Sequence, residues 1–329
     1  MEVTKIENLP PPPGIINSIR AGFDAIASHI TAILLPLLLN LFMWLGPRLR
    51  MEALFNSMRS DVITLWQAGG IPAEEIQKML TWYDTSLPSI NLFWLLRTLP
   101  VGISSLLLPK EASATPLGDP SIWQVSALGF PGWIFLLTLV GWVGGALYFR
   151  SVAWVILADK EQSARMLPAV VQTVLISIFS NLLVMVLAFP LLFLLLILSQ
   201  ISVILANLFV LFLSLASVWV IVPMFFWPLG VFIKRQNVLT SIMSSIQLTR
   251  FTLPTSSLFV LIVFLLAYGL NFLWNIPTED SWMTLVGILG HSFVTTALLA
   301  ASFIYYRDMS VWVQTVLEKL RPNNIMKQA

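Results

Sequence analysis

The sequence predicts an all-α, polytopic integral membrane protein with six transmembrane helices and an external amphipathic helical cap. Three observations predict this fold class. Of the 329 residues, 57% are apolar and 10% are charged, whereas a soluble domain has about 45–50% apolar and about 25% charged residues. The apolar residues occur in blocks of about 20 or more, enough helix to cross about 30 Å of hydrocarbon. The longest segment between these blocks has the periodicity of amphipathic helices.

The remaining composition excludes several classes of protein. The chain has no cysteine, so disulfides, thiol catalysis and cysteine-ligated zinc or iron–sulfur sites are excluded. Its 18 Lys and Arg against 16 Asp and Glu leave a net charge of only +2. A basic surface for nucleic acid is therefore not expected. We expect no cofactor, no metal and no nucleic-acid partner.

The number of crossings follows from the charge-free block 166–233, which is long enough for two long crossings or three minimal ones. Basic residues precede and follow this block, and Lys and Arg gather on the cytoplasmic side of membranes. The number of crossings inside it must then be even, so two are predicted, with a turn within 199–207. The six predicted crossings are 23–45, 131–157, 166–198, 201–233, 254–274 and 282–306.

The same charge rule predicts the orientation of the chain. Arg20 precedes the first crossing and Arg307 follows the last, while the short turns 199–207 and 275–281 contain no Lys or Arg. We therefore expect a multi-pass protein of the cell (plasma) membrane with both termini in the cytoplasm. The predicted cytoplasmic parts are an arm with an amphipathic helix over 1–22 and a tail over 307–329.

The segment 47–130 is predicted to form the external cap. It begins with two amphipathic helices, separated by Gly69 and Gly70. Its later part, 87–108, is semi-apolar but is interrupted by prolines, a glycine and Arg97, so we expect an interfacial or re-entrant piece and not a full crossing. The cap either covers a substrate route between the helices or rests on the outer leaflet and completes the fold. We favour the second interpretation.

Three short segments carry a resemblance to a known family. They are Ser-Ile-Met-Ser-Ser-Ile-Gln-Leu-Thr-Arg at 241–250, Ser-Phe-Ile-Tyr-Tyr-Arg at 302–307 and Ser-Ile-Arg-Ala-Gly-Phe at 18–23. With their helices they cover about half of the chain. The sequence resembles poorly characterised bacterial six-helix integral membrane proteins, which are related to the membrane domain fused to some glycerophosphoryl diester phosphodiesterases. The resemblance implies architecture and not phosphodiesterase activity, because the sequence contains no soluble catalytic domain.

Five polar side chains within the predicted crossings are candidate site residues, because polar groups inside a bilayer are costly. The two histidines could relay protons or bind a metal, and the asparagines could contact a substrate or an ion. All five could instead form hydrogen bonds between helices, worth about 0.6–2 kcal/mol each. We favour hydrogen bonding, since a metal needs three or four ligands and no acidic residue lies deep in a crossing. The five residues are His29, Asn40, Asn181, Asn271 and His291.

Two further features bear on function. Arg97 could bind a lipid phosphate or simply extend to the headgroups. Gly141, Gly144 and Gly145 are predicted to let helices approach closely.

The sequence contains no enzyme motif and no predicted catalytic residue, so we expect a protein that is not an enzyme. It is predicted to be a non-catalytic membrane component with a scaffold, assembly or lipid-organising role. The alternative is a permease for a hydrophobic or lipid-like substrate. Membrane lipids, and other membrane proteins, are the expected partners.

Overall fold

The computed structural model describes residues 11–107, 114–157 and 165–320, without the side chain of residue 320. It is nearly all-α, as predicted. Helices α5 to α9 are each long and apolar enough to cross a membrane, and the pair α1–α2 gives a sixth span if it is counted as one. The helices are α1 (Ile15–Ser28), α2 (Leu34–Leu45), α3 (Glu52–Ala68), α4 (Ala73–Ser86), α5 (Phe130–Ile156), α6 (Met166–Ile201), α7 (Val203–Lys234), α8 (Val238–Trp274) and α9 (Met283–Leu320).

The first span is not the continuous helix predicted over 23–45. Helix α1 begins earlier, at Ile15, and the chain breaks at His29. A 3-10 turn over Ile30–Ile33 follows, and the two halves of the span are bent by 97°. Pro36 explains the position of the break, because a proline has no N–H to donate and its ring clashes with the carbonyl four residues earlier. The helix can therefore restart only just before Pro36, which lies in the first turn of α2.

The last two spans are longer than predicted. Helix α8 begins at Val238 and passes through a non-helical residue, Thr252, just before Pro254, again because a proline disrupts the preceding turn. The tail predicted from residue 307 onward is helical as far as Leu320. The apolar face of α9 continues there, since Met309 and Val313 are both buried. Between α6 and α7, the break lies at Ser202, inside the predicted turn.

A short collar joins the two ends of the 47–130 segment. Strands β1 (Arg48–Arg50) and β2 (Ile122–Gln124) pair in parallel, so the chain leaving α2 lies beside the chain entering α5. Arg48 donates hydrogen bonds to the carbonyls of Met43 and Trp44 at the end of α2, which caps that helix. Burial lowers the pKa of the Arg48 guanidinium, and the charge of Glu279 partly opposes this effect.

The bundle has two distinct ends. We call the end that carries α3, α4 and the collar the capped end, and the end at Lys234 and Arg307 the basic end. Successive spans alternate in direction between them. Helix α1 packs against α9, where Gly22 makes close contact possible: a Cβ there would lie 2.5 Å from the Ala297 O and the Ala301 N.

Helix α9 is the centre of the core. Tyr305 and Tyr306 are fully buried, and the Phe259 ring stacks on Tyr305 with 4.0 Å between ring centroids. Phe226 stacks on both tyrosines at 6.0 and 6.1 Å. By contrast, the hairpin formed by α6 and α7 has no buried residue over 181–205. The core therefore sits between α9 and its neighbours, and the far half of the α6–α7 hairpin projects away from it.

Candidate functional site

The candidate site is built around a loop that enters the helix bundle from the capped end. The loop comprises residues 97–107 and is called the inserted loop below. It follows a 3-10 turn over Leu92–Leu96 and reaches Gly145 of α5, which is about 22 Å along that helix from its first residue. Val101 and Leu106 of the loop are 0% and 1% exposed. The chain thus descends among the helices and returns to the end from which it came.

Two glycines of α5 make room for the inserted loop. A Cβ on Gly145 would lie 2.8 Å from both the Gly102 Cα and the Val101 O, and one on Gly141 would lie 2.7 Å from the Thr98 Cγ2. A side chain at either position would displace the loop. These glycines were predicted to bring helices together; they instead admit the backbone of a loop. Gly102 is itself required by the turn, since a Cβ there would overlap the Thr98 O.

Asn40 holds the returning part of the loop. It is 0% exposed, and its Oδ1 accepts a hydrogen bond from the Leu106 N at 2.8 Å. Its Nδ2 donates to the Pro36 O at 2.8 Å and lies 3.4 Å from the Ser104 O. A buried backbone N–H without a partner costs about 1–3 kcal/mol. The Asn40 amide therefore satisfies loop backbone groups that water cannot reach.

His291 holds the same loop from α9. Its Nδ1 lies 2.6 Å from the Asn271 Oδ1 and its Nε2 lies 3.4 Å from the Ser104 Oγ. If Nδ1 carries the proton and donates to Asn271, Nε2 accepts from the Ser104 hydroxyl, and this tautomer satisfies both nitrogens. His291 is only 1% exposed. The imidazole thus links α8, α9 and the inserted loop.

The other two candidates lie elsewhere. His29 is exposed at the break between α1 and α2, and its Nδ1 lies 3.3 Å from the Ala25 O of its own helix. Asn181 is exposed on α6 and donates to the Ser177 O at 2.8 Å. The structure therefore brings Asn40, Asn271 and His291 to one loop and places His29 and Asn181 apart from it. The two histidines, proposed above as a possible relay, have separate hydrogen-bond partners.

Several residues of the site were not predicted. Ser104 and the backbone of Leu106 belong to the site because the conformation of the inserted loop brings them to His291 and Asn40. Asn275 lies where an outer turn was expected, and its Nδ2 donates to the Asn271 O at 2.9 Å and lies 3.4 Å from the Leu106 O. Asn91 accepts hydrogen bonds from the backbone N–H of Leu49 and Phe93, which anchors the chain before it enters. The signal in the sequence was the interruption of 87–108 by prolines and a glycine. It indicates a break in the helix but does not identify the residues that the loop contacts.

A second polar cluster lies at the basic end. The Ser244 Oγ lies 3.2 Å from the Tyr306 Oη, and the Ser256 Oγ lies 3.3 Å from the Tyr305 Oη. A Cβ on Gly230 would lie 2.9 Å from the Tyr306 Oη. The segments 241–250 and 302–307, which carry the family resemblance, are thus in contact. The hydroxyl groups of Ser241, Ser244 and Ser256 bond to tyrosine hydroxyl groups or to backbone carbonyls, which is the pattern of helix packing.

The described part of the chain contains no group of three His, Asp or Glu side chains that could hold a metal ion. At the capped end, the arrangement fixes a loop among helices with neutral amide, hydroxyl and imidazole groups. No protein-family model, no curated protein and no solved structure matches the chain.

Proposed function

We propose that this protein is a non-catalytic component of the cell membrane that supports the assembly of other membrane proteins or organises lipids. The observation that carries the proposal is the set of hydrogen-bond partners of the buried polar side chains at the inserted loop. The side-chain hydrogen bonds of Asn40 and His291 are directed to the inserted loop, to Asn271 and to the Pro36 O of α2. These three predicted site residues are therefore engaged in holding the inserted loop among the helices.

The α6–α7 hairpin supports the same proposal. Its far half presents apolar side chains on all sides, with no buried residue over 181–205. Such a surface suits lipid chains and the helices of a membrane partner, which pack through van der Waals contact. We propose that this hairpin is the surface through which the protein acts.

The proposal includes six crossings with the basic end in the cytoplasm. Lys234 and Arg307 lie at that end, and the positive-inside rule supports this orientation. The chain has no cysteine, so single cysteines can report on it. In intact cells, Ala127→Cys at the capped end should react with a membrane-impermeant maleimide, and Thr240→Cys at the basic end should react only after lysis. The reverse pattern would contradict the orientation.

The role itself is tested by gentle purification followed by mass spectrometry of retained proteins and lipids. We expect a stoichiometric membrane protein or a defined set of lipids, and no flux of lipid-like solutes in reconstituted vesicles. His291→Leu should lower the amount of folded protein, and Asn181→Leu on the exposed helix is the matched control. Flux that disappears in His291→Leu at unchanged abundance would contradict the proposal.

A permease for a hydrophobic or lipid-like substrate is the second candidate. The observation that favours it is the number of interrupted elements: the 97° bend near His29, the inserted loop and the distortion at Thr252. Transporters use such breaks to expose backbone groups to substrates. In this case Asn271→Leu and His291→Leu should both abolish transport while the protein stays folded. The family resemblance remains a prediction and concerns architecture under either proposal.

A further inference from the structure

Arg97 is a cation that has more N–H donors than the hydrogen bonds it makes with the described residues. It begins the inserted loop, is half-buried, and its Nη1 lies 3.3 Å from the Leu107 O. A guanidinium has five N–H donors in a planar fork. The ion pairs found within residues 11–107, 114–157 and 165–320 do not include Arg97. The nearest acidic residue along the chain after it is Glu111, which lies outside those ranges.

The position of Arg97 makes its positive charge costly. Arg97 lies near the capped end of α8, because its Nη1 contacts the Leu107 O and the adjacent Leu106 O lies 3.4 Å from the Asn275 Nδ2. Its charge acts on Tyr268 of α8 and on His291 of α9. Tyr268 precedes Trp274, at the capped end of α8, by about 9 Å of helix. Tryptophans commonly mark the headgroup level, which places Arg97 just below it. A charge at such a depth is expensive unless an anion accompanies it.

An apolar track leads from this position along α8. Leu261, Leu265, Tyr268 and Phe272 recur at helical spacing, and all four are exposed, by 53%, 62%, 70% and 81%. Residues with this spacing lie on one face of a helix. The track runs along α8 to within one turn of its capped end, the end near which Arg97 lies. A phosphate and a hydrocarbon chain joined in one molecule would therefore match both features at once.

We propose that Arg97 binds the phosphate of a phospholipid in the leaflet at the capped end, with an acyl chain lying along the α8 track. The guanidinium fork is suited to two phosphate oxygens, and charge-assisted hydrogen bonds of this kind are the strong ones. The Tyr268 hydroxyl is a second donor to the same headgroup. This inference rests on the proposed function only in requiring that the chain crosses a membrane, and it names the class of lipid that the protein holds.

The test is native mass spectrometry of the full chain released from nanodiscs of phosphatidylglycerol. We expect the wild-type protein to retain a phospholipid and Arg97→Gln to retain about tenfold less, the loss expected for a charge-assisted hydrogen bond. Arg97→Lys should retain an intermediate amount, because it keeps the charge and loses the fork. Tyr268→Phe should lose about twofold to threefold. Arg59→Gln is the matched control: Arg59 is paired with Asp84 in the cap and should retain lipid like the wild type.

Four results would overturn the proposal. Equal lipid retention by Arg97→Gln and the wild type would remove the site, and an equal loss in Arg59→Gln would reduce it to general surface charge. Displacement of the lipid by millimolar inorganic phosphate would indicate a site for free anions. If Glu111 is the counter-ion, Glu111→Gln should increase retention several-fold over the wild type; the lipid site predicts no change.

Folding and topology are read separately from lipid retention. If Arg97→Gln is not monodisperse, lipid retention is compared between the wild type, Arg97→Lys and Tyr268→Phe, because both substitutions preserve most of the side-chain volume. The maleimide labelling of Ala127→Cys and Thr240→Cys does not depend on Arg97. Lost retention in the wild type with normal labelling would overturn the lipid site alone, whereas abnormal labelling would overturn the proposed crossing of the membrane.

Discussion

Helices α6 and α9 are both long and apolar, yet they occupy opposite environments. In the most apolar 18-residue stretch of α6 no residue is buried, whereas 56% of the corresponding stretch of α9 is buried. The difference in burial correlates with the number of small and polar residues in each helix. Helix α6 has none of these over 182–198 except alanine and proline, while α9 places His291, Thr296 and Ser302 among small residues that face its neighbours.

The comparison shows where a membrane protein of this kind obtains its stability. Lipid chains are as apolar as leucine, so covering α6 with protein instead of lipid would gain little. Close packing and hydrogen bonds distinguish a protein neighbour from lipid, and both are concentrated around α9 and the inserted loop. Matched substitutions in the two regions should therefore have very different effects, measured as the thermal stability of the monodisperse protein in detergent.

The largest difference is expected for the loss of a phenyl ring. Phe303 of α9 is 0% exposed and Phe189 of α6 is 74% exposed. Phe303→Ala should cost about 3–5 kcal/mol, because it leaves a cavity in a packed core, whereas Phe189→Ala should stay within about 0.5 kcal/mol. Equal shifts of the melting temperature would show that the Phe189 ring is packed against protein as closely as the Phe303 ring, and would contradict the comparison.

A smaller difference is expected for added methyl groups. Gly145→Ala should cost about 1–3 kcal/mol, because its Cβ would approach the backbone of Gly102 to 2.8 Å. Gly269→Ala on α8 is the control, since no atom lies within 4 Å of a Cβ there, and it should be neutral or slightly stabilising because alanine favours helix. Stabilisation by Gly145→Ala would mean that the inserted loop is not lodged against α5.

Removing the imidazole should have an effect of about 1–2 kcal/mol. His291→Leu leaves Asn271 and Ser104 without their partner, and buried polar groups are costly when unpaired. Asn181→Leu on α6 should have no destabilising effect, because that amide is exposed and bonds only within its own helix. Thermal melting of the two variants in parallel checks this, and a larger loss in Asn181→Leu would reverse the comparison.

The smallest effect is expected for a single hydroxyl. Tyr148 of α5 donates to the Thr296 Oγ1 at 3.0 Å in a fully buried contact, so Tyr148→Phe should cost about 0.6 kcal/mol. Tyr268→Phe changes an exposed phenol and should leave the melting temperature in detergent unchanged. A larger loss of stability in Tyr268→Phe than in Tyr148→Phe would contradict the conclusion that the hydrogen-bonded core lies around α9.

Much of the fold could be predicted because a membrane span is encoded locally, by the length of an apolar run. Charge and polarity predicted a turn within 199–207, and the break at Ser202 lies in that range. The break at His29 was not, because Pro36 is compatible with a mild kink and with a full break. The extension of α9 past Tyr306 was missed because charged residues return there although the apolar face continues through Met309 and Val313.

The candidate site could be predicted only by residue type. Asn40, Asn271 and His291 stand out as polar residues in apolar helices. However, two of the partners of Asn40 lie more than 60 residues away, on a loop whose conformation depends on Gly102 and Gly145. For the same reason Asn181 and His29 could not be separated from them. A polar residue inside a span marks a hydrogen bond without naming its partner.

The most direct test of the central claim, that the inserted loop is a fixed packing element, is the reactivity of one cysteine within it. Ser105 is 4% exposed between the helices, and Ala127 is exposed at the same capped end. In membranes, Ser105→Cys should remain unlabelled by an impermeant maleimide while Ala127→Cys is labelled completely. Labelling of Ser105→Cys at the rate of Ala127→Cys would show that the loop opens to water, and would contradict the claim.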